Sequence, residues 1–232
     1  MQAIQYENQR VLILAPHADD EVIGCGGVIQ KYLENQSAVR VVIATFVYGT
    51  YQKFYKEKNL YEEYSGMVRL KELEKAYEIL GVTDHSIMYT DNEKIKYHSK
   101  LDVIPRIELV SKIEREIDSF KPTVIYIPSL TKHQDHTALH EAALTAIRPY
   151  YWNGSVLVYE TDGELSFSPN LFVPLKPEQV EKKAKALAAY RTQVGGKNHP
   201  TTPQFLSTKA TYRGQSIYTD YAEAFQVIRI HG

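Results

Sequence analysis

The stretch VLILAPHADDE (Val11–Glu21) decides the fold, because it joins a strand of the buried type to a cluster of metal-type ligands. A second stretch has the same design, since VIYIP (Val124–Pro128) is followed closely by HQDH (His133–His136). Short apolar runs rich in β-branched residues suit parallel strands whose sheet is covered on both faces. Such sheets bind ligands at the carboxyl edge, where the strands end. The two polar clusters are therefore predicted to meet at one site, and a divalent-metal hydrolase is the leading interpretation.

Length, composition and charge narrow the class of protein. The chain has 232 residues, 44% of them hydrophobic, with a formal net charge of -1 and a sequence pI of about 6.7. It is long enough for one α/β domain over residues 1–232, and it has no basic stripe of the kind that nucleic-acid binders carry. The N-terminus does not resemble a signal peptide, and no apolar run approaches the roughly 20 residues that span a bilayer. With Cys25 as the single cysteine, we expect a cytoplasmic protein without a membrane span or disulfide.

Strand and helix signals alternate along the chain. Apolar periodicity predicts helices over Val28–Leu33, Leu70–Leu80, Ile104–Phe120, Thr137–Ile147 and Pro177–Gln193. Further strands are predicted over Val39–Thr45, Ser86–Thr90 and Ser155–Glu160, with Ala222–Ile230 as a closing edge strand. The polar, proline-bearing stretch Thr161–Leu175 is predicted to be a long functional loop. Alternation of this kind implies right-handed βαβ crossovers and a largely parallel sheet flanked by helices.

The first cluster combines an imidazole with three carboxylates. His17 and Asp20 are three residues apart, a spacing that can turn both side chains towards one ion, and nitrogen with oxygen ligands suits zinc and neighbouring divalent metals. Asp19 points elsewhere and could hold a water molecule, whose proton a nearby carboxylate can take at neutral pH. The alternative is that the acids only cap a helix, but a histidine with three acids exceeds what a cap requires. Glu21 is the acid that best fits a role as dipole partner alone.

The second cluster offers two imidazoles for two different tasks. One of His133 and His136 can bind the metal while the other acts on substrate, since a catalytic site with three protein ligands stays open. Asp135 could hydrogen-bond an imidazole and hold it protonated. His140 follows His136 by four residues, but no glutamate follows His136 as the H-E-x-x-H motif requires. We therefore predict a structural or supporting role for His140.

Two further motifs are assigned to structure rather than to chemistry. Gly24-Cys25-Gly26-Gly27 does not fit the dinucleotide fingerprint G-x-G-x-x-G, so its glycines are predicted to let a helix pack closely on the sheet. Cys25 is then a small buried hydrophobe. The lysine-rich run Lys182–Lys185 is predicted to be the solvated face of a helix.

At these residues the chain resembles the PIG-L/LmbE-like zinc-dependent N-acetylglucosaminyl deacetylase family. The family pattern is (A/P)-H-P-D-D-E followed by G-x-G-G and, later, H-x-D-H; here Ala18 replaces the usual proline. The match continues in the family's order at Arg69…Glu72, at Tyr190–Gln193 and at Arg213…Phe225. It therefore spans most of the chain.

The resemblance implies a Rossmann-like fold with a twisted, mostly parallel sheet. It implies a hydrolase that removes the N-acetyl group from an N-acetylglucosamine-type conjugate, giving acetate and a free amine. One Zn²⁺ per subunit is expected, other divalent metals being possible, on the ligands His17, Asp20 and His136. By the same resemblance Asp19 would be the general base, His133 the oxyanion stabiliser or general acid with Asp135 as its partner, and Arg69 a substrate-binding residue.

Two alternative functions fit these residues less well. A metal-dependent phosphoesterase with two metals needs more ligands than the clusters supply, and a non-catalytic Rossmann-like sugar- or nucleotide-binding module has no need of a base such as Asp19. The carrier of the amino sugar stays open, and the sequence allows a homo-oligomer. The aromatic residues of the segment Tyr48–Tyr64 could form a lid or a sugar platform, or could pack at an interface.

Overall fold

The computed structural model describes residues 4–47, 51–55, 60–91, 100–161, 166–193, 199 and 201–231. Its strands and helices are, in chain order, β1 (Arg10–Ala15), α1 (Asp20–Glu34), β2 (Ala38–Val47), β3 (Tyr51–Tyr55), β4 (Leu60–Tyr64), α2 (Gly66–Leu80), β5 (Asp84–Asp91), α3 (Arg106–Phe120), β6 (Val124–Pro128), α4 (Gln134–Ala146), β7 (Ser155–Tyr159), β8 (Leu171–Pro174), α5 (Pro177–Ala189), α6 (Pro203–Gln215) and β9 (Ala222–Arg229). A short 3₁₀ turn, Leu101–Val103, precedes α3.

One sheet of seven strands, in the order β5-β2-β1-β6-β7-β9-β8, forms the centre of the fold. The first five strands in that order run parallel, whereas β9 is antiparallel to β7 and β8 is antiparallel to β9. The strands β3 and β4 form a separate antiparallel pair. The predicted α/β fold with a mostly parallel sheet flanked by helices is therefore confirmed.

Each face of the sheet has its own hydrophobic core. Along β1, Val11, Ile13 and Ala15 belong to the core shared with α1, α2 and α5, while Leu12 and Leu14 belong to the core shared with α3 and α4. All five side chains are fully buried. This explains why the strand reads as a continuous apolar run instead of alternating, because helices cover the sheet on both sides.

The strand order places both polar clusters at one point of the sheet edge. The chain passes from β1 to β2 on one side, whereas β6 lies on the other side of β1, with Val11 opposite Val124. The carboxyl ends of β1 and β6 thus flank the point where the strand order reverses. Open α/β sheets form their ligand crevice at such a point.

Several predicted elements are corrected by the structure. The helix α1 begins at Asp20, so the glycine motif lies inside the helix and does not precede it. The closing strand β9 is interior and not at the edge, because β8 pairs along its other side. This β8 lies within Thr161–Leu175, which was predicted to be loop throughout, and α6 was not predicted. In contrast, α2 ends as predicted at Leu80, and Gly81 caps it with a left-handed φ of 86°.

The aromatic segment Tyr48–Tyr64 contains, in its described part, the antiparallel strands β3 and β4. Residues 48–50 and 56–59, and the side chains at 51–55 and 60–62, lie outside the described part of the structure. The lid, sugar platform or interface predicted there stays a prediction. Among the helices that the structure describes, none combines the length and the apolar character needed to cross a membrane.

Candidate metal centre and active site

The turn between β1 and α1 is held by its own side chains. Asp20 Oδ2 accepts a hydrogen bond from the backbone N–H of His17 at 3.0 Å. The carbonyl of Asp19 accepts from the N–H groups of Val22 and Ile23 at 3.0 and 2.9 Å, which starts the helix. Asp19 itself has φ 139° and ψ -30°, a conformation rare for a residue with a side chain. The strand end and the helix start therefore hold the imidazole and both aspartates at the carboxyl edge.

The structure brings the three predicted metal ligands together. His17 Nδ1 lies 3.4 Å from Asp20 Oδ2, and His136 Nε2 lies 3.3 Å from the same oxygen. One ligand atom from each of the three residues falls within 4.8 Å of the others. Residues from β1–α1 and from the first turn of α4 thus converge across more than a hundred positions of sequence.

The electrostatics of this cluster favour a cation. Burial lowers the pKa of His17, but hydrogen bonds to Asp135 and Asp20 outweigh it and raise that pKa to about 9. Burial alone would raise the pKa of Asp20, yet His136 and His17 hold it well below its usual range. A donor set of two imidazoles and one carboxylate is typical of zinc and similar divalent metals, and three protein ligands leave a position open. The residues present therefore fit a catalytic divalent metal.

Asp135 contacts a different imidazole from the one predicted. Its Oδ2 lies 2.9 Å from His17 Nε2, and its Oδ1 accepts from the N–H of Leu101 at 2.8 Å. The hydrogen bond to His133 comes from the backbone N–H of Asp135, which donates to Nδ1 at 3.2 Å because His133 caps the start of α4. Histidines that bind metals usually donate their second ring N–H to a carboxylate. The geometry of Asp135 fits that orienting task for His17.

His133 stands beside the three predicted ligands, and with His17 and Asp135 it forms a second group whose ligand atoms lie within 4.8 Å of one another. Its ring centroid lies 4.8 Å from that of His17 and 5.3 Å from that of His136. Partial burial, and then the charge of His17, lower the pKa of His133. Because Nδ1 accepts the hydrogen bond from Asp135, the neutral ring carries its hydrogen on Nε2. His140, one helical turn after His136, bonds the carbonyl of Pro128 at 2.7 Å and ties α4 to the end of β6.

Asp19 and Arg69 form the buried charged side of the site. Burial, followed by the charge of Asp20, raises the pKa of Asp19 well above its usual range, while Arg69 acts in the opposite direction. Arg69 is buried on α2, and its guanidinium carbon lies 5.5 Å from the ring centroid of Phe46. A carboxylate with raised proton affinity beside a metal-type cluster is suited to accept a proton. The substrate-binding role of Arg69 stays a prediction.

Glu21 has a larger part in the site than a dipole partner. It is fully buried, and its Oε2 accepts from the N–H of Asp19 at 3.0 Å while its Oε1 accepts from the hydroxyl of Tyr190 at 2.7 Å. Burial raises the pKa of Glu21 to about 7. Glu21 and Tyr190 both lie in motifs that match the family pattern, and this was the only sign in the sequence that they take part in the site. The motifs did not reveal that the two side chains touch.

A buried ion pair packs against the glycine motif of α1. Lys183 Nζ lies 2.7 Å from Glu223 Oε1, and that carboxylate accepts from the backbone N–H groups of Gly27 and Val28 at 2.6 and 2.7 Å. A Cβ on Gly27 would lie 2.9 Å from the Glu223 carboxyl carbon, so the glycine permits the close approach. The predicted packing role of the glycines is confirmed. The assignment of Lys183 to a solvated face was wrong, since it is 4% exposed.

Comparison with known families agrees with this geometry. Residues 12–147, more than half of the chain, match the PIG-L family, described as GlcNAc-PI de-N-acetylase. The match includes both ligand clusters. The chain belongs to the PIG-L family.

Named relatives are deacetylases. The chain is 26% identical over 206 residues to the probable N-acetyl-alpha-D-glucosaminyl L-malate deacetylase 2 of Bacillus anthracis, covering 82% of this chain and 84% of the relative. It is 26% identical over 237 residues to the diacetylchitobiose deacetylase of Thermococcus kodakarensis, covering 95% and 83%. The solved structure of N,N'-diacetylchitobiose deacetylase from Pyrococcus horikoshii superposes with a TM-score of 0.68 at 25% identity, covering 95% of this chain and 84% of that one. This PIG-L family member is a hydrolytic N-deacetylase, as predicted.

Proposed function

We propose that the chain is a zinc-dependent deacetylase that hydrolyses the N-acetyl group of an N-acetylglucosamine-type conjugate to acetate and a free amine. One observation carries the proposal. The ligand atoms of His17, Asp20 and His136 lie within 4.8 Å of one another, next to the buried carboxylate of Asp19, in a chain of the PIG-L family. A base beside a metal site is the arrangement that amide hydrolysis by water requires.

His17, Asp20 and His136 would hold one zinc ion per subunit, other divalent metals being possible. When bound, the metal supplies a Lewis acid for the amide carbonyl and lowers the pKa of water. Asp135 keeps the His17 ring oriented through Nε2. The fold thereby supplies the metal's three protein ligands from two adjacent strand ends.

Asp19 is proposed as the general base. Its raised proton affinity favours removal of a proton from the attacking water, whose oxygen forms the new bond to the acetyl carbon. When the carbon–nitrogen bond breaks, the same carboxyl group can return the proton to the leaving amine. The proton that Asp19 takes from the water is thus the proton that the amine receives.

His133 is proposed to stabilise the oxyanion. Its lowered pKa keeps the ring neutral, and its hydrogen sits on Nε2 because Nδ1 faces the N–H of Asp135. A positioned N–H donor of this kind stabilises the charge that develops on the acetyl oxygen. The sequence predicted the Asp135 carboxylate as the partner of His133; we propose that the backbone N–H of Asp135 has this role instead.

The proposed substrate is a small conjugate of N-acetylglucosamine. Two relatives are named for N-acetylglucosaminyl malate and for diacetylchitobiose, so the sugar is the shared part and the carrier differs. Arg69, buried beside Asp19, is proposed to face the bound substrate.

The test measures acetate release and metal content together. Purified protein should contain about one divalent metal per subunit and release acetate from at least one of a panel that includes N-acetylglucosaminyl malate and diacetylchitobiose. Asp20→Asn should lose metal. Asp19→Asn should retain metal and fold while kcat falls by ~10²–10⁴-fold, the usual contribution of a positioned acid–base group.

A matched substitution is Glu74→Gln, which removes an exposed carboxylate from α2 and should change neither quantity. Two results contradict the assignment. One is metal loss in Asp19→Asn, and the other is near wild-type kcat in that variant. A metal-loaded wild-type protein that releases no acetate from any conjugate would refute the proposed function itself.

A further inference from the structure

Asp19 has a backbone conformation that its surroundings must impose. Among the described residues, the other non-glycine residues with positive φ lie between 53° and 60°, in the ordinary left-handed region, whereas Asp19 has φ 139°. Conformations of this kind cluster at functional sites and persist only where neighbouring groups determine them.

The peptide groups on both sides of Asp19 are fixed by hydrogen bonds. On the carboxyl side, its carbonyl accepts from the N–H groups of Val22 and Ile23 in the first turn of α1. On the amino side, its N–H donates to Glu21 Oε2 at 3.0 Å. Glu21 is therefore the side chain that determines the orientation of the peptide entering Asp19.

Glu21 is itself anchored from another helix. Its second oxygen accepts from the hydroxyl of Tyr190 at 2.7 Å, and Tyr190 is a buried residue at the end of α5. The turn that follows is held by Glu72 of α2, whose two oxygens accept from the N–H and the hydroxyl of Thr192 at 2.9 and 2.6 Å. The support of Asp19 thus rests on three helices, α1, α5 and α2.

A helix-dipole role does not explain this arrangement. An acid that only complements the helix N-terminus needs no particular partner for each of its oxygens, whereas Glu21 is fully buried with each oxygen engaged by a donor. Burying a carboxylate is costly unless it is hydrogen-bonded. The contacts direct that buried group at Asp19.

We propose that Glu21, anchored by Tyr190, is a positioning residue that holds the Asp19 carboxylate in its working orientation; this inference rests on the proposed function. Its effect on the reaction passes through Asp19 alone. A purely stabilising role would lower the melting temperature but leave the kcat of the folded protein unchanged.

A double-mutant cycle on kcat tests the inference. Glu21→Leu removes both acceptor oxygens, so the N–H of Asp19 and the hydroxyl of Tyr190 both lose their partner; Tyr190→Phe removes only the anchor. Misplacement of a reacting group by about 1 Å can cost ~10²-fold, so we expect kcat to fall by about 10²-fold in Glu21→Leu and about tenfold in Tyr190→Phe. KM and metal content should not change. In the Asp19→Asn background neither substitution should lower kcat by more than about twofold, since coupled residues are not additive.

The matched control is Tyr126→Phe, which removes the hydroxyl of another fully buried tyrosine, bonded to Tyr32 at 3.1 Å. It should lower the melting temperature without changing kcat. Equal losses of kcat in both backgrounds, or a loss of melting temperature alone, would refute the positioning role. A wild-type protein that releases no acetate would instead refute the proposed function.

A crystal structure of Glu21→Leu tests the inference without any activity measurement. A φ of Asp19 relaxed from 139° towards an ordinary region is the expected result. An unchanged φ would overturn the inference whatever the kinetics.

Discussion

Asp135→Asn tests whether a buried carboxylate sets the proton position on His17. A carboxylate can only accept, so in the neutral ring, the form that binds a metal, the contact of 2.9 Å holds the hydrogen on Nε2 and leaves the lone pair of Nδ1 free on the side of Asp20. An asparagine can turn its NH₂ towards Nε2. The ring would then carry its hydrogen on Nδ1, 3.4 Å from Asp20 Oδ2, at the atom that faces the other ligands.

The expected loss of metal affinity is about 10–100-fold, the usual cost of removing a group that orients a metal-binding histidine, or about 1.4–2.7 kcal/mol. A second effect opposes it at neutral pH. With a pKa of about 9, only about one His17 in a hundred is neutral at pH 7 in the metal-free wild type. Removing Asp135 lowers that pKa and relieves the competition from protons, so the affinity gap should be smaller at pH 7 than at pH 9.

The assay is a zinc titration against a competing chelator at both pH values. Asp102→Asn, an exposed acid in the neighbouring 3₁₀ turn, serves as the matched control and should bind zinc as the wild type does. Wild-type affinity in Asp135→Asn at pH 9, combined with a loss of kcat, would refute this reasoning. This result would instead support the sequence-based prediction, in which Asp135 is the partner of His133.

Three further predictions concern stability. The pKa of His17 is raised from 6.5 to about 9, so in metal-free protein its contribution is fully present below about pH 6.5 and is lost as the pH rises through about 9; urea unfolding should show up to about 3 kcal/mol of this loss, and His17→Gln should abolish it. In Gly24→Ala the new Cβ would lie 2.1 Å from the ring of Tyr159, and overpacking should cost about 1–3 kcal/mol in thermal or urea unfolding; an unchanged midpoint would contradict the close packing. Lys183→Met leaves the carboxylate of Glu223 buried without its cation and should cost about 3–5 kcal/mol, whereas adding Glu223→Gln should recover part of the loss; no recovery would contradict the pairing.

The sequence by itself determined the features that depend on local pattern. The apolar runs at β1 and β6, the periodic faces of α2 and α3, and the left-handed end at Gly81 follow from residue types a few positions apart. The convergence of the two ligand clusters followed from one topological rule, because parallel strands present their carboxyl ends at a common edge. The kind of chemistry was therefore readable before the fold was known.

Only the tertiary structure decided which side chains touch. Glu21 and Tyr190 are 169 positions apart, and Asp135 meets His17 rather than the neighbouring His133. Lys183 reads as one lysine of a solvated run until Glu223 is brought against it from β9. Local periodicity specifies which face of a helix is buried, but a buried polar side chain takes whichever partner the packing of distant helices and strands brings within hydrogen-bonding distance.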